Sequence, residues 1–237
     1  MDIFDIRNQI QTEIFDYQTL ISVLSGLASP RDKITDLLKE GAIIRVKKGL
    51  YVFGDKYRRY PYSTELLANL VYGPSYLSLD SGLSYYGLIP ERVEALTSIT
   101  THRSRRFLTP VGLFTYRQVP LKAFQLGFVR KNADHDQSFL IAVPEKALAD
   151  KIVSVRGVRI DSIKELMAFL EEDLRIDMAS LRSFSPEKID EYAMAYRSLR
   201  LRLFARLLKK IKKKASASTF RTADAPDGSL GRPRRAE

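Results

Sequence analysis

Residues 29–53 read SPRDKITDLLKEG followed by AIIRVKKGLYVF, and the first half has the spacing of a short helix. Ser29 can cap that helix, Pro30 suits its first turn, and Gly41 is a common helix end. The apolar residues of this half share one helical face: Ile34, Leu37 and Leu38. We therefore expect a helix with one buried face and one polar, partly basic face.

A hairpin with a basic tip is predicted directly after this helix. Two β-prone runs, 43–46 and 50–53, flank the turn Lys47-Lys48-Gly49. A helix for the major groove beside a basic hairpin for the flanking phosphates is the arrangement of a winged helix-turn-helix. We expect residues 1–60 to form a DNA-binding domain of this kind. The alternative is a small αβ unit whose charges only keep it soluble.

The side chains expected to contact DNA fall into two groups. Phosphates would be contacted from the hairpin and the linker after it, by Arg45, Lys47, Lys48, Arg58 and Arg59. Bases would be read from the helix, by Arg31, Lys33 and Thr35, with Lys39 on the same polar side. Two earlier helices are predicted over 3–15 and 17–27, and the second would position the helix in the groove.

The composition provides ample apolar residues for a core. The chain has 237 residues, 45% of them hydrophobic, and no cysteine, which excludes disulfides and cysteine metal sites. No apolar run approaches the roughly 20 residues that span a bilayer, and the first residues have no secretory pattern. We expect a cytoplasmic protein without a membrane partner.

The net charge of +11 is unevenly distributed along the chain. Residues 197–237 hold 13 Lys/Arg against 3 Asp/Glu, and residues 29–59 hold 9 basic against 4 acidic groups. Residues 100–131 hold 7 basic and no acidic groups, whereas residues 132–196 are acidic. Basic patches on an otherwise balanced chain favour a polyanionic partner.

The segments after the hairpin favour an α+β domain, because short strands come first and helices dominate later. We divide the chain into a winged helix-turn-helix (1–60), a mixed α+β domain (61–196), a basic amphipathic helix (197–214) and a disordered tail (215–237). The basic helix has an apolar stripe of Leu199, Leu203, Leu207 and Ile211. This stripe could dock on the second domain, or the helix could contact nucleic acid, a partner or anionic lipid.

A second basic cluster lies outside the expected winged helix, at Arg103, Arg105 and Arg106. This cluster is either a solvated loop between strands or a second contact with a polyanion such as DNA or RNA. The sequence itself leaves both alternatives open.

Four charged residues invite a nuclease hypothesis, because carboxylates beside a lysine can hold Mg²⁺ and activate water: Glu145, Lys146, Asp150 and Lys151. We favour an ordinary helix with its charges outside, since the preceding strand offers no further carboxylate. No motif of zinc, nucleophilic or nucleotide-dependent catalysis occurs. We therefore expect no catalytic residue, no metal and no cofactor.

Several segments occur in an order that is similar to one known family. They are Val46-Lys47-Lys48-Gly49-Leu50-Tyr51-Val52, YLSLDSGLSYYGL at 76–88, Thr100-Thr101 with the arginines after it, and PEKALAD at 144–150. Over about residues 17–153 the chain resembles the AbiEi family of abortive infection, the antitoxin and regulator half of type IV toxin–antitoxin pairs. The resemblance implies an N-terminal winged helix that represses its own operon and a C-terminal domain that neutralises a nucleotidyltransferase-type toxin.

The leading hypothesis is therefore a DNA-binding autorepressor that is also an antitoxin and not an enzyme. Its expected partners are double-stranded operator DNA and a nucleotidyltransferase-like toxin, although such antitoxins need not form a stable complex with the toxin. The oligomeric state is left open by the sequence. The competing hypotheses are a protein-interaction scaffold without sequence-specific DNA binding and, with less support, a metal-dependent nuclease.

Overall fold

A computed structural model describes the backbone of residues 1–223 and the side chains of residues 1–214. Within this range the chain forms a three-stranded sheet and a six-stranded sheet, and helices pack on both. The fold is mixed α+β, as the sequence predicted.

The first unit covers residues 1–60 and contains the three-stranded sheet. Its elements follow one another as α1 (Ile3–Gln9), β1 (Ile14–Asp16), α2 (Tyr17–Val23), α3 (Pro30–Lys39), β2 (Ile43–Lys47) and β3 (Leu50–Phe53). Asp2 and Asp16 accept capping hydrogen bonds at the starts of α1 and α2. The strand order is β1-β3-β2, and both neighbouring pairs are antiparallel.

The central strand of this sheet, β3, is buried along its whole length. Tyr51 and Phe53 pack into a core with α1, α2 and α3. Leu50 and Val52 pack into a separate core with residues of the second unit. Alternate side chains of one strand point to opposite faces, so β3 contributes to two cores at once.

Three sequence-based details of the first unit are wrong. The helix predicted over 3–15 ends at Gln9. The last residues of the predicted helix belong instead to β1, in which Phe15 lies opposite Tyr51. The helix predicted over 17–27 ends at Val23, ahead of a turn. Ser29 occupies the N-cap position of α3, but its side chain makes no capping hydrogen bond.

The second unit contains the six-stranded sheet. Its strands are β4 (Ser75–Leu77), β5 (Ala95–Thr100), β6 (Arg105–Thr109), β7 (Gly112–Gln118), β8 (Phe128–Asn132) and β9 (Ser138–Ala142). The order across the sheet is β6-β7-β5-β4-β9-β8, which makes β6 and β8 its edges. The pairs β5–β7 and β4–β9 are parallel, and the other neighbouring pairs are antiparallel.

Helices cover both faces of the six-stranded sheet. They are α4 (Thr64–Val71), α5 (Leu79–Tyr85), α6 (Leu121–Phe124), α7 (Pro144–Ser154), α8 (Ile163–Ala168), α9 (Pro186–Tyr196) and α10 (Leu199–Ala223). On one face, α4 and the β2–β3 hairpin pack over Leu77, Phe114 and Ile141. On the other face, α5 and α7 pack over Tyr76 and Ile99, and α9 and α10 pack behind them.

The C-terminal helix α10 differs from its prediction in length and in register. It begins at Leu199 and continues to Ala223, beyond the predicted end at residue 214. Its buried residues are Leu201, Phe204, Ala205, Leu207 and Leu208, whereas Leu199 of the predicted stripe is 72% exposed. Of the tail predicted to be disordered, 215–223 continue this helix, and 224–237 lie outside the described residues.

No helix between residues 1 and 223 combines the length and apolar character that crossing a bilayer requires.

Gly54, directly after β3, provides a test of how tightly the hairpin packs on the turn that follows α3. A Cβ atom at Gly54 would lie 2.0 Å from the carbonyl oxygen of Gly41, and Gly54 N donates to Ala42 O at 2.9 Å. We expect Gly54→Ala to lower the free energy of unfolding by about 2 kcal/mol or more, because two backbone segments must move apart. Urea denaturation measures the change.

The control for this substitution is Gly26→Ala, where an added Cβ meets no atom within 4 Å. It should change the free energy of unfolding by less than about 1 kcal/mol. Equal stabilities of the two variants would show that the contact between Gly54 and the turn after α3 can open without a loss of stability.

Candidate functional site

The outer side of α3 carries both positively and negatively charged residues and is exposed to solvent. Arg31, Thr35 and Lys39 are exposed, and Lys33 is half-buried. Lys39 lies 3.9 Å from the carboxylate of Asp36, and Thr35 Oγ1 donates to Arg31 O at 3.0 Å. Within the described residues the Arg31 side chain has no such partner, so it is the cation of α3 most available to a ligand.

The two lysines at the hairpin tip have different surroundings. Lys48 is exposed, together with Arg45 on the same hairpin. Lys47 instead donates from Nζ to the carbonyl oxygen of Val71 at 2.6 Å, and burial lowers its pKa. Val71 ends α4, where carbonyl groups lack helical partners, so Lys47 stabilises the end of a helix in the second unit. Of the two lysines predicted at the hairpin tip, Lys48 is therefore the one whose charge is exposed to solvent.

The linker arginines are also engaged by the protein. Arg59 donates to Gln11 Oε1 at 2.7 Å and to Asn8 Oδ1 at 3.1 Å, which ties the linker to α1 and the loop after it. Arg58 lies 3.3 Å from the carboxylate of Asp55 and over the ring of Tyr62. Both side chains hold the linker in place, and neither projects freely for a phosphate.

A buried ion pair beneath the linker was missed by the sequence analysis. The Arg7 guanidinium bonds to Glu13, and both side chains are at least 95% buried. Arg7 Nε also donates to Tyr57 O at 3.2 Å, and its guanidinium carbon lies 4.5 Å from the centre of the Phe53 ring. Glu13 Oε1 additionally accepts from the backbone N–H of Arg59 at 3.1 Å. This network fixes the first helix and the linker on the core of the first unit.

The second basic cluster lies at the edge of the six-stranded sheet. Arg105 and Arg106 belong to β6, which the sequence analysis did not predict as a strand, and Arg103 precedes it. Successive strand residues face opposite sides, so Arg105 and Arg106 diverge. The Arg105 guanidinium lies 5.8 Å from the centre of the Tyr72 ring. All three arginines are exposed, but they do not form one compact patch.

The helix α7 contradicts the expectation that its charges lie outside. Lys146 and Asp150 are completely buried and form an ion pair one helical turn apart. The reason is that α7 is surrounded by α5, β9, α9 and α10, which leaves it little contact with solvent. Glu145 and Lys151 are half-buried and pair with Lys188 and Asp80.

Every polar atom of the buried pair has a protein partner. Lys146 Nζ donates to Asp150 Oδ1, to Tyr76 Oη at 2.9 Å and to Tyr196 Oη at 3.1 Å. Asp150 Oδ1 also accepts from Tyr196 at 2.6 Å, and Asp150 Oδ2 accepts from Ser78 Oγ at 2.6 Å. Three ammonium protons and both carboxylate oxygens are thereby used, which lowers the cost of burying two charges.

Burial keeps the tyrosines of this network protonated. Desolvation, with the Asp150 charge as the next cause, raises the pKa of Tyr76 and of Tyr196 far above the usual range. Both phenols therefore act as hydrogen-bond donors or acceptors and not as bases. Within the described residues, no group of three or more Asp, Glu or His side chains could hold a metal ion.

The open cations of the first unit are thus fewer than the sequence predicted. Arg31 and Lys39 on α3 are exposed, as are Arg45 and Lys48 on the hairpin. The remaining predicted basic contacts of this unit are half-buried or held by neighbouring residues: Lys33, Lys47, Arg58 and Arg59. No family model and no curated protein matches the chain.

The Lys146–Asp150 pair gives a stability prediction. Lys146→Met or Asp150→Asn alone should lower the free energy of unfolding by about 3–5 kcal/mol, since each leaves its partner with an unmet buried charge. The double variant Lys146→Met/Asp150→Asn should lose clearly less than the sum of the two single variants, because neither buried charge is then left without its partner. Chemical denaturation measures all three.

The matched control is the neighbouring pair Lys151–Asp80, whose side chains are 22% and 34% exposed. Lys151→Met should cost about 1 kcal/mol or less, because solvent screens this pair. A loss at Lys146 no larger than that at Lys151 would contradict the structural role of the buried network.

Proposed function

We propose that this chain is a DNA-binding transcriptional repressor whose first unit acts as a winged helix-turn-helix. The observation that carries this proposal is the order helix–strand–helix–helix–strand–strand combined with the sheet order β1-β3-β2. In that arrangement α2 supports α3, and the β2–β3 hairpin extends beside α3 as a wing. The outer side of α3 is exposed, as entry into a major groove requires.

The charges of the first unit support binding to a duplex. Arg45 and Lys48 are exposed on the wing and would contact phosphates, whereas Arg31 and Thr35 lie on the open side of α3 and would face base edges. Asp32 and Asp36 on the same helix would repel phosphates, which favours a limited docking geometry over general attraction to polyanions. The wing contacts would contribute affinity without sequence information.

We also propose that the chain is the antitoxin of a type IV pair and opposes a nucleotidyltransferase-type toxin in the cytoplasm. The support is the resemblance to the AbiEi family, whose segments occur in both units of this fold. The PEKALAD segment of that resemblance forms the first two turns of α7 and supplies Lys146 and Asp150 to the buried network. In this chain, that segment supports the fold of the second unit, to which we assign the antitoxin activity.

Gel-shift titration with the DNA upstream of the gene tests the repressor proposal. We expect Arg45→Gln/Lys48→Gln to weaken binding to operator and to unrelated DNA alike and to reduce the salt dependence, since phosphate contacts release counterions. Arg31→Ala should instead reduce the preference for operator over unrelated DNA, by the equivalent of about 1–3 kcal/mol.

The matched control is Lys164→Gln/Arg182→Gln, which removes the same charge from exposed positions of the second unit. This variant should bind operator DNA like the wild type. If Arg45→Gln/Lys48→Gln and Arg31→Ala also bound like the wild type, the first unit would not be the DNA-binding surface.

Co-expression with a nucleotidyltransferase encoded beside the gene tests the antitoxin proposal. The wild-type chain should restore growth, and so should Arg45→Gln/Lys48→Gln, because toxin neutralisation is assigned to the second unit. Colony counts and antitoxin levels from a common promoter separate rescue from changed expression. Failure of the wild-type chain to rescue would reject the antitoxin proposal and leave the repressor proposal standing.

A further inference from the structure

A cleft of about 710 Å³ opens between the loop that follows α7 and the start of α10. One wall is apolar and consists of Val153, Ile160, Leu199 and Leu203. Leu199 is 72% exposed, so its side chain is accessible to a molecule in the cleft. The volume lies within the range of small-molecule sites, about 300–1,000 Å³.

Arginines dominate the polar wall of this cleft: Arg197, Arg200, Arg202 and Arg206, with Asp161 as the acidic residue. The Arg200 guanidinium is used by the protein, because it donates to the carbonyl oxygens of Ile152, Val155 and Val158. The other three guanidinium groups have no hydrogen-bond or ion-pair partner among the residues whose side chains are described. These three, which we call the free arginines of the cleft, are Arg197, Arg202 and Arg206.

The backbone positions the free arginines so that all three line the same cleft. Arg202 and Arg206 are four residues apart on α10 and therefore share a face of the helix. Arg197 lies in the left-handed region, with φ of 53°, at the turn where α9 ends. Like charges at this spacing repel one another, and Asp161 does not relieve them, because its carboxylate binds Arg159 at 2.8 Å. The cleft thus has an uncompensated positive charge beside an apolar wall.

An adjoining cavity of about 260 Å³ extends the site along the protein surface. It shares Val153 and Tyr196 with the cleft and adds Arg117 and Arg156. Arg117 is partly engaged, since it donates to Ser154 O at 3.3 Å, whereas Arg156 is exposed. The positive lining therefore continues from the cleft into this cavity, which provides guanidinium groups for more than one anionic group.

We propose that this cleft binds a nucleoside triphosphate, with the phosphates on the free arginines and the base against the apolar wall. The planar guanidinium group forms paired hydrogen bonds to phosphate oxygens, and the start of α10 adds the positive end of a helix dipole. The site lies on the second unit and is formed without any residue of α3 or the wing. It therefore stands independently of DNA binding by the first unit.

Calorimetric titration of the full-length chain tests the site, with ATP, inorganic triphosphate and adenosine as separate probes. We expect ATP to bind, triphosphate to bind more weakly because it lacks a base, and adenosine to bind least. Arg202→Gln/Arg206→Gln should weaken ATP binding at least about tenfold. Leu199→Ser should weaken ATP binding but leave triphosphate binding unchanged, since only the base meets the apolar wall.

The matched control is Lys210→Gln/Lys213→Gln, which removes the same charge from exposed positions of the same helix outside the cleft. It should retain ATP binding, and all variants should keep the wild-type melting temperature. An equal loss in both double variants would overturn the site, because it would indicate general charge attraction. Absence of ATP binding, including the case in which only a single-stranded oligonucleotide binds, would overturn it as well.

Discussion

The burial of β3 on both of its faces is the constraint on which the rest of the structure depends. Tyr51 and Phe53 complete the core of the first unit, and Leu50 and Val52 complete a core shared with α4 and the six-stranded sheet. The two units cannot separate without exposing one side of this strand. At about 25 cal/mol per Å² of apolar surface, such exposure would be strongly unfavourable.

This constraint decides which charges remain for a ligand. The back of the β2–β3 hairpin faces the second unit, so Lys47 meets the end of α4 and bonds to the carbonyl of Val71. The front of the first unit, with α3, stays open. The hairpin is therefore held against the second unit, and if the first unit binds a duplex as we propose, α4 sets the orientation in which Lys48 is presented.

The sequence predicted what local patterns determine and failed where distant contacts decide. The helix from Pro30 and the strands around Gly49 follow from spacing and turn chemistry, and the structure has both. The roles of Lys47 and Arg59 depend on partners 24 and 48 or more residues away, which no local pattern reveals. The sequence around Lys146 did contain a signal for its burial. The consecutive apolar residues Ala147, Leu148 and Ala149 point to different sides of α7, which indicates a helix that is buried on several sides.

The buried network and the arginine-lined cleft are connected through one residue. Tyr196 donates to Asp150 inside the core and also lines the cleft, and Arg197 follows it at the turn into α10. Arg200 fixes the other side of that turn through carbonyl oxygens of α7 and the loop after it. The turn is thus held at two points, so the free arginines are presented by a rigid backbone. Less conformational entropy is then lost when an anion binds, and this favours a preformed site over one that the ligand must organise.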